Sequence, residues 1–205
     1  MRGWIWAVFA VVGAIAPAGP VVFAQVTLSV RGDPQAWEDI KAAWAKLATV
    51  KSYRIRGTNR QGETLMWEIV NPDRVHHRRT SGTSTTETVR IGSQTVVRQG
   101  DNCIELPVTV LDPSPNVAAG ATEVVAEKGN IESLGGGRAQ TYAYTLTYPA
   151  TAGRGPRMTR TKLFVAVDTG LLKRVQGLDE RGGIEFTWDY YDYNAAITIT
   201  PLRCS

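Results

Sequence analysis

Two histidines, two cysteines and 19 acidic side chains are the groups of this chain that could do covalent, acid–base or metal chemistry. His76 and His77 are neighbours in a strand-like run, so alternation sends their rings to opposite faces. No cysteine or carboxylate stands at ligand spacing from them, and no metal site is expected. Cys103 and Cys204 are far apart and form no Cys-x-x-Cys motif. Glu185, Asp189 and Asp192 gather near the C-terminus, but exposed strands ordinarily carry such residues, and they make a poor glycosidase-type pair. Gly-x-Ser-x-Gly, His-Glu-x-x-His and phosphate-loop motifs do not occur. Gly135-Gly136-Gly137 has no helix signal after it and reads as a turn. The expectation is a protein without enzymatic activity or cofactor, whose chemistry is that of binding.

Composition narrows the kind of binding. The chain has 205 residues, 43% hydrophobic and 20% charged, enough for one well-buried core and unlike a disordered segment. Its net charge of +4 is mild and its basic residues are mostly scattered, which argues against a nucleic-acid partner. Met1-Arg2, the uncharged run Trp4 to Ala16, and small residues at Val22 and Ala24 have the plan of a secretory signal peptide over 1–24, with a second possible cut after Ala18. Pro17, Gly19 and Pro20 break the run near the length of about 20 residues that a membrane span needs. No cysteine lies at the cut to take a lipid. Residues 25–205 are therefore expected as one soluble domain, a monomer in the periplasm or secreted. In that oxidising compartment Cys103 and Cys204 are expected to pair. The bond would close a loop of roughly 100 residues.

The elements that must position any site are legible from periodicity. Asp33 can cap a helix and Pro34 suits its first position. Trp37, Ile40, Trp44, Leu47 and Ala48 then share one face, predicting an amphipathic helix over 34–48. A short helical turn is expected near Asn116–Ala121. After Thr49 the period becomes 2, with turns at 57–62, Asn71-Pro72-Asp73, Gly92-Ser93 and Asp168-Thr169-Gly170. Strands are expected within 53–56, 65–69, 75–79, 85–91, 94–98, 123–126, 131–134, 142–148, 163–167, 171–178, 185–191 and 196–200, counted as roughly ten or eleven and read as an antiparallel meander. A sheet that large must curl. One helix of about 22 Å cannot cover it all. A strongly curved sheet with the helix lying across its hollow resolves the mismatch, and the hollow is either a ligand cavity or a filled core. The fold class is α+β, mostly β.

The order of these pieces is similar to the LolA/LolB-like lipoprotein-carrier superfamily, which also includes mycobacterial lipid-carrying lipoproteins and the sensor domain of a sigma-factor regulator. The resemblance rests on an amphipathic helix, then "VKSYRIRGT", "MWEIVNPDRVHH" and "TVRIGSQTVVRQG", and much later "LFVAVDTGLLKRVQG" and "WDYYDYNAAITITP". It spans about 34–201, and its motifs are structural turns. It implies a half-barrel of antiparallel strands with an apolar cavity for acyl chains, and as partners a lipid or lipid-modified protein with membrane transfer factors. Two departures stand out: anchored members have a cysteine at the cut, and dedicated carriers have more helix over the cavity mouth.

For an acyl ligand the lining would come from Trp37, Ile40 and Trp44 on the helix. Tyr53, Ile55, Leu65, Trp67, Ile69, Val89 and Ile91 would line it from the early strands, and Tyr142, Tyr144, Leu146, Leu163, Val165, Phe186 and Trp188 from the later ones. Each is equally suited to ordinary core packing, since strands favour such residues. Arg74, His76, Arg78 and Arg79, with His77, form the densest positive run, suited to phosphate headgroups or an anionic membrane, or else to a solvated strand. Two functions follow: a periplasmic carrier of lipid or lipoprotein, or an envelope-stress sensor or interaction module with a filled core.

Overall fold

The computed structural model describes residues 28–106, 117–151 and 155–204. The expected signal peptide and its cut lie outside the described residues. Twelve strands and one helix follow in the order β1 (Ser29–Gly32), α1 (Pro34–Lys46), β2 (Ser52–Asn59), β3 (Thr64–Val70), β4 (Arg74–Ser81), β5 (Ser84–Ile91), β6 (Gln94–Gln99), β7 (Asn102–Leu106), β8 (Glu123–Leu134), β9 (Gly137–Tyr148), β10 (Arg157–Ala166), β11 (Leu172–Leu178) and β12 (Ile184–Tyr191). They form one curved sheet in the order β1-β8-β9-β10-β11-β12-β2-β3-β4-β5-β6-β7, open at β1 and β7. All pairs are antiparallel except β1 with β8.

The single meander expected from the spacing is two meanders, β2–β7 and β8–β12, joined where β12 pairs with β2. This pairing sets β2, the first strand after the helix, beside β12, the last strand, in the middle of the sheet. β1 and β7 carry no clear alternation and were not anticipated. The two short strands expected over 123–126 and 131–134 are one strand, β8, with a register shift between Lys128 and Ile131. Gly129 permits it, because a Cβ there would stand 2.4 Å from Thr141 Oγ1. No strand forms over residues 196–200. Asp192 and Asn194 take left-handed backbone (φ 53° and 59°) and turn the chain off the sheet. The Asn194 carboxamide oxygen then accepts from Lys51 N at 2.8 Å, and Ser52 O accepts from Asn194 N at 2.8 Å. Val117–Gly120 form a turn.

Asp33 caps α1 as its sequence suggests, its carboxylate accepting from Gln35 N at 2.9 Å and Ala36 N at 3.1 Å. Ala36, Trp37, Ile40 and Ala43 are the buried face. They join one continuous core with Tyr53, Ile69, Val75, Val124, Tyr144, Leu146, Leu163, Leu172 and Tyr190, drawn from both meanders. The disulfide joins Cys103 on β7 to Cys204.

Candidate functional site

Between α1 and the hollow of the sheet lies an apolar cavity of about 390 Å³. Its lining is Trp44 and Leu47 from the helix end, Tyr53, Ile55, Trp67 and Ile69 from β2 and β3, Val117 from the turn before β8, Tyr144, Leu146 and Tyr148 from β9, Thr159 from β10, and Trp188 and Tyr190 from β12. The register explains the assembly. Tyr53 opposes Ile69, Ile55 opposes Trp67, and Tyr190 opposes Ile55, so one face of three adjacent strands is delivered to the same space.

Eight of the residues singled out from sequence stand in this lining: Trp44, Tyr53, Ile55, Trp67, Ile69, Tyr144, Leu146 and Trp188. Trp37, Ile40, Leu163 and Val165 are in the core beside it and do not line it. Tyr142 is buried and spends its hydroxyl on Asp39, donating at 2.9 Å. Phe186 packs on Trp188, ring centroids 4.7 Å apart, and Leu65 lies next to Gly57. Val89 and Ile91 are not brought to the cavity. Val89 pairs with His76 and Ile91 with Arg74, which places both on the opposite face of the sheet. The apolar alternation of β5 identified residues that share a face, while β4 beside it decides which face.

Two glycines make the hollow possible. Trp188 lies across Gly57, where a Cβ would come within 2.6 Å of its Cδ1; Phe186 lies across Gly177, where a Cβ would come within 2.0 Å of its Cε1. Gly57 was read as the start of a turn, but it is inside β2. A lone glycine in a strand is a known signal of close approach, and it was the available hint. Leu47, Val117, Tyr148, Thr159 and Tyr190 also line the cavity without having been singled out.

The cavity floor is aromatic. Tyr53 stacks between Tyr190 and Tyr193 at 6.3 and 6.0 Å, and Trp44 meets Tyr190 edge-on at 6.4 Å. Burial pushes the phenols of Tyr53 and Tyr144 up to about 12 and that of Tyr190 higher still, so the floor is uncharged at any physiological pH. The helix is tied down at its middle and at its C-terminal end. Asp39 takes the Tyr142 hydroxyl and lies 3.5 Å from Lys128 Nζ, and Asn71 Nδ2 donates to Leu47 O and Val50 O at 2.8 and 2.7 Å. The Gln35 side chain first, then the Tyr142 hydroxyl and Lys128, hold the Asp39 carboxyl below its usual range against the opposing effect of burial.

The basic run on β4 divides between faces. Arg79 donates to both oxygens of Glu63 at 2.7 and 2.8 Å. On the opposite face His76 bridges Glu68 (3.1 Å) and Glu87 (2.8 Å), Arg54 donates to Glu68 at 2.8 Å, Arg98 to Glu87 at 2.6 Å and Arg78 to Glu87 at 3.4 Å. Burial opposes charge on Glu68 and Glu87, yet these donors outweigh it and lower both carboxyls. Arg74 is exposed. His77 faces the hollow against Trp67 at 4.1 Å, and its burial, with Arg79 and His76 nearby, lowers its pKa to about 4. Among the described residues no cluster of His, Cys, Asp and Glu could hold a metal.

No family model matches the chain, and no curated protein matches it. Solved structures do. LprF from Mycobacterium bovis superposes with a TM-score of 0.59 at 11% identity, over 83% of this chain and 98% of that one. The Pseudomonas aeruginosa MucA/MucB complex gives 0.47 at 16%, over 77% of this chain; the match spans 56% of that longer chain. A LolA superfamily protein from Nitrosomonas europaea gives 0.37 at 11%, over 80% and 94%. The likeness to LprF establishes the fold, an open half-barrel of antiparallel strands with one helix across its hollow.

Proposed function

We propose that this chain is an envelope carrier that holds an acyl chain, free or attached to a protein, in the cavity beneath α1. The observation that carries this reading is the cavity itself: about 390 Å³, within the ~300–1,000 Å³ of ligand pockets, and walled almost entirely by aromatic and aliphatic side chains. A filled core, as an interaction module would have, leaves no such space. Burial of an acyl chain there gains about 0.8 kcal/mol per CH₂. Release is by movement of the C-terminal half of α1, whose Trp44 forms one wall with Leu47 just beyond the helix. The periplasm is the proposed compartment: the signal-like leader leads there, and the Cys103–Cys204 bond is at home there. Among the described residues no helix is long and apolar enough to cross a membrane.

Native mass spectrometry of protein purified without detergent from a bacterial periplasm tests the reading. Adducts of lipid mass that leave on denaturation are expected; a bare chain mass would turn the reading to the interaction module. Trp44→Asp places a charge in the cavity wall and is expected to abolish the adducts while circular dichroism and the disulfide are unchanged. Lipid retained by a folded Trp44→Asp protein would remove α1 from the mechanism.

A further inference from the structure

The carrier reading leaves open what the chain is attached to, and the mouth of the cavity addresses it. Tyr148 and Thr159 line the cavity and stand at the β9–β10 end of the sheet, where Tyr148 pairs with Arg157. The Arg157 guanidinium lies over the Tyr148 ring, 4.7 Å from its centroid. Three cations cover aromatic rings among the described residues, and the other two sit on Tyr142 and Phe164, which do not line the cavity. Arg157 is one of several arginines left without a carboxylate, and its guanidinium lies on a residue of the cavity lining. Arg54, Arg60, Arg78, Arg79, Arg98 and Arg174 are each matched by a carboxylate, whereas Arg157 is exposed and has no carboxylate within ion-pair distance among the described residues.

We infer that the occupant is an anionic amphiphile, its chain in the cavity and its phosphate or carboxylate at the mouth on Arg157; this rests on the carrier reading. Stacking on Tyr148 holds the guanidinium plane at the opening and leaves its N–H fork free to take two oxygens of one anionic group. A neutral headgroup would leave that charge unmatched, and a zwitterionic one would bring its own cation beside the guanidinium. No cation is among the residues that line the cavity, so recognition of charge falls to Arg157 and recognition of the chain to the hollow.

The purified protein and its Arg157→Ala and Arg157→Lys variants would be titrated with 1-palmitoyl-lysophosphatidylglycerol, the corresponding lysophosphatidylcholine, and inorganic phosphate, following tryptophan fluorescence. The wild type is expected to bind the anionic lipid about five-fold more tightly than the zwitterion at low salt, as for one exposed charge near an anionic headgroup. Arg157→Ala is expected to lose the preference while still binding both lipids, and Arg157→Lys to restore most of it. A preference that persists in Arg157→Ala overturns the assignment. Displacement of the anionic lipid by millimolar phosphate would make the mouth a free-phosphate site and overturn it also. If neither lipid binds the wild type, the carrier reading fails and this one falls with it, an outcome distinct from binding without preference.

Discussion

The two faces of the sheet are built from the same strands and do opposite things. On β4, Val75 and His77 look into the hollow, where Val75 joins the core and His77 packs on Trp67. Between them His76 looks outward and bridges Glu68 and Glu87. The hollow face is closed by a helix and keeps an apolar cavity. The outer face is a run of alternating charges, Asp192–Arg54–Glu68–His76–Glu87–Arg98, that satisfies itself. Beyond this run the outer face carries an apolar patch of Val89, Ile91 and Val96 under the C-terminal Pro201 and Leu202, pinned by the disulfide. The difference teaches that His76, Arg78 and Arg79 on β4 are matched by carboxylates of the sheet, while the cavity beneath the helix is walled by apolar side chains. On the proposed carrier reading, binding belongs to the face with the cavity and anchoring to the other.

The largest test of that division is to cut the anchor. Replacing Cys103 and Cys204 together by serine frees the tail from β7 and opens a loop of 101 residues. The chain-entropy model puts the loss at about 4.7 kcal/mol for such a loop. A urea midpoint well below the wild type is expected, with lipid adducts unchanged in whatever fraction remains folded. Loss of lipid from folded protein would show that the two faces are coupled.

A smaller effect should come from filling the hollow itself. Gly57→Val puts atoms where Trp188 Cδ1 now lies, 2.6 Å from the new Cβ, with Leu65 Cβ at 3.3 Å. Trp188 must swing, and the space it can enter is the cavity. Overpacking of this kind costs about 1–3 kcal/mol. Chain-length preference in a lipid-binding titration should move toward shorter chains, while the outer face is untouched. An unchanged preference would mean that Trp188 moves away from the cavity and does not bound it.

Much of this was legible. Trp37, Ile40 and Trp44 announced the helix by spacing, and the strong alternation of Tyr53/Ile55 and Leu65/Trp67/Ile69 placed two strands of the cavity wall. Alternation fixes which residues of a strand go together but is silent on which side they go, and so Val89 and Ile91 were assigned to the wrong face. The side is set by register with β4, a long-range fact. β1 and β7 are short edge strands whose pairing gains little from pattern. The roles of Gly57 and Gly177 depend on Trp188 and Phe186, more than 100 residues away for Gly57, and only the β12–β2 pairing brings that pair together. The carboxylate partners of the β4 cations lie on three other strands or turns, so the run read as an unpaired basic stretch.

The smallest expected effect is also specific to one face. His77 titrates near 6.5 in an unfolded chain and at about 4 in the fold, because its burial against Trp67 disfavours the charged ring, with Arg79 and His76 adding to it. Between those values the unfolded chain binds more protons than the folded one, so stability rises with pH across the window. Its contribution is complete above about 6.5 and is lost as the pH falls toward 4. The outer-face carboxylates Glu68 and Glu87 have folded values below the ordinary 4.5, so they weaken the fold only at more acid pH. Urea midpoints compared at about pH 6.5 and about pH 5 therefore isolate the histidine of the hollow. The wild type should be less stable at the lower value, by a margin reduced because the ring is only partly buried. His77→Phe keeps the contact with Trp67 and should flatten the difference. A slope that survives in His77→Phe would move the acid sensitivity from the hollow to the charged run on the other face.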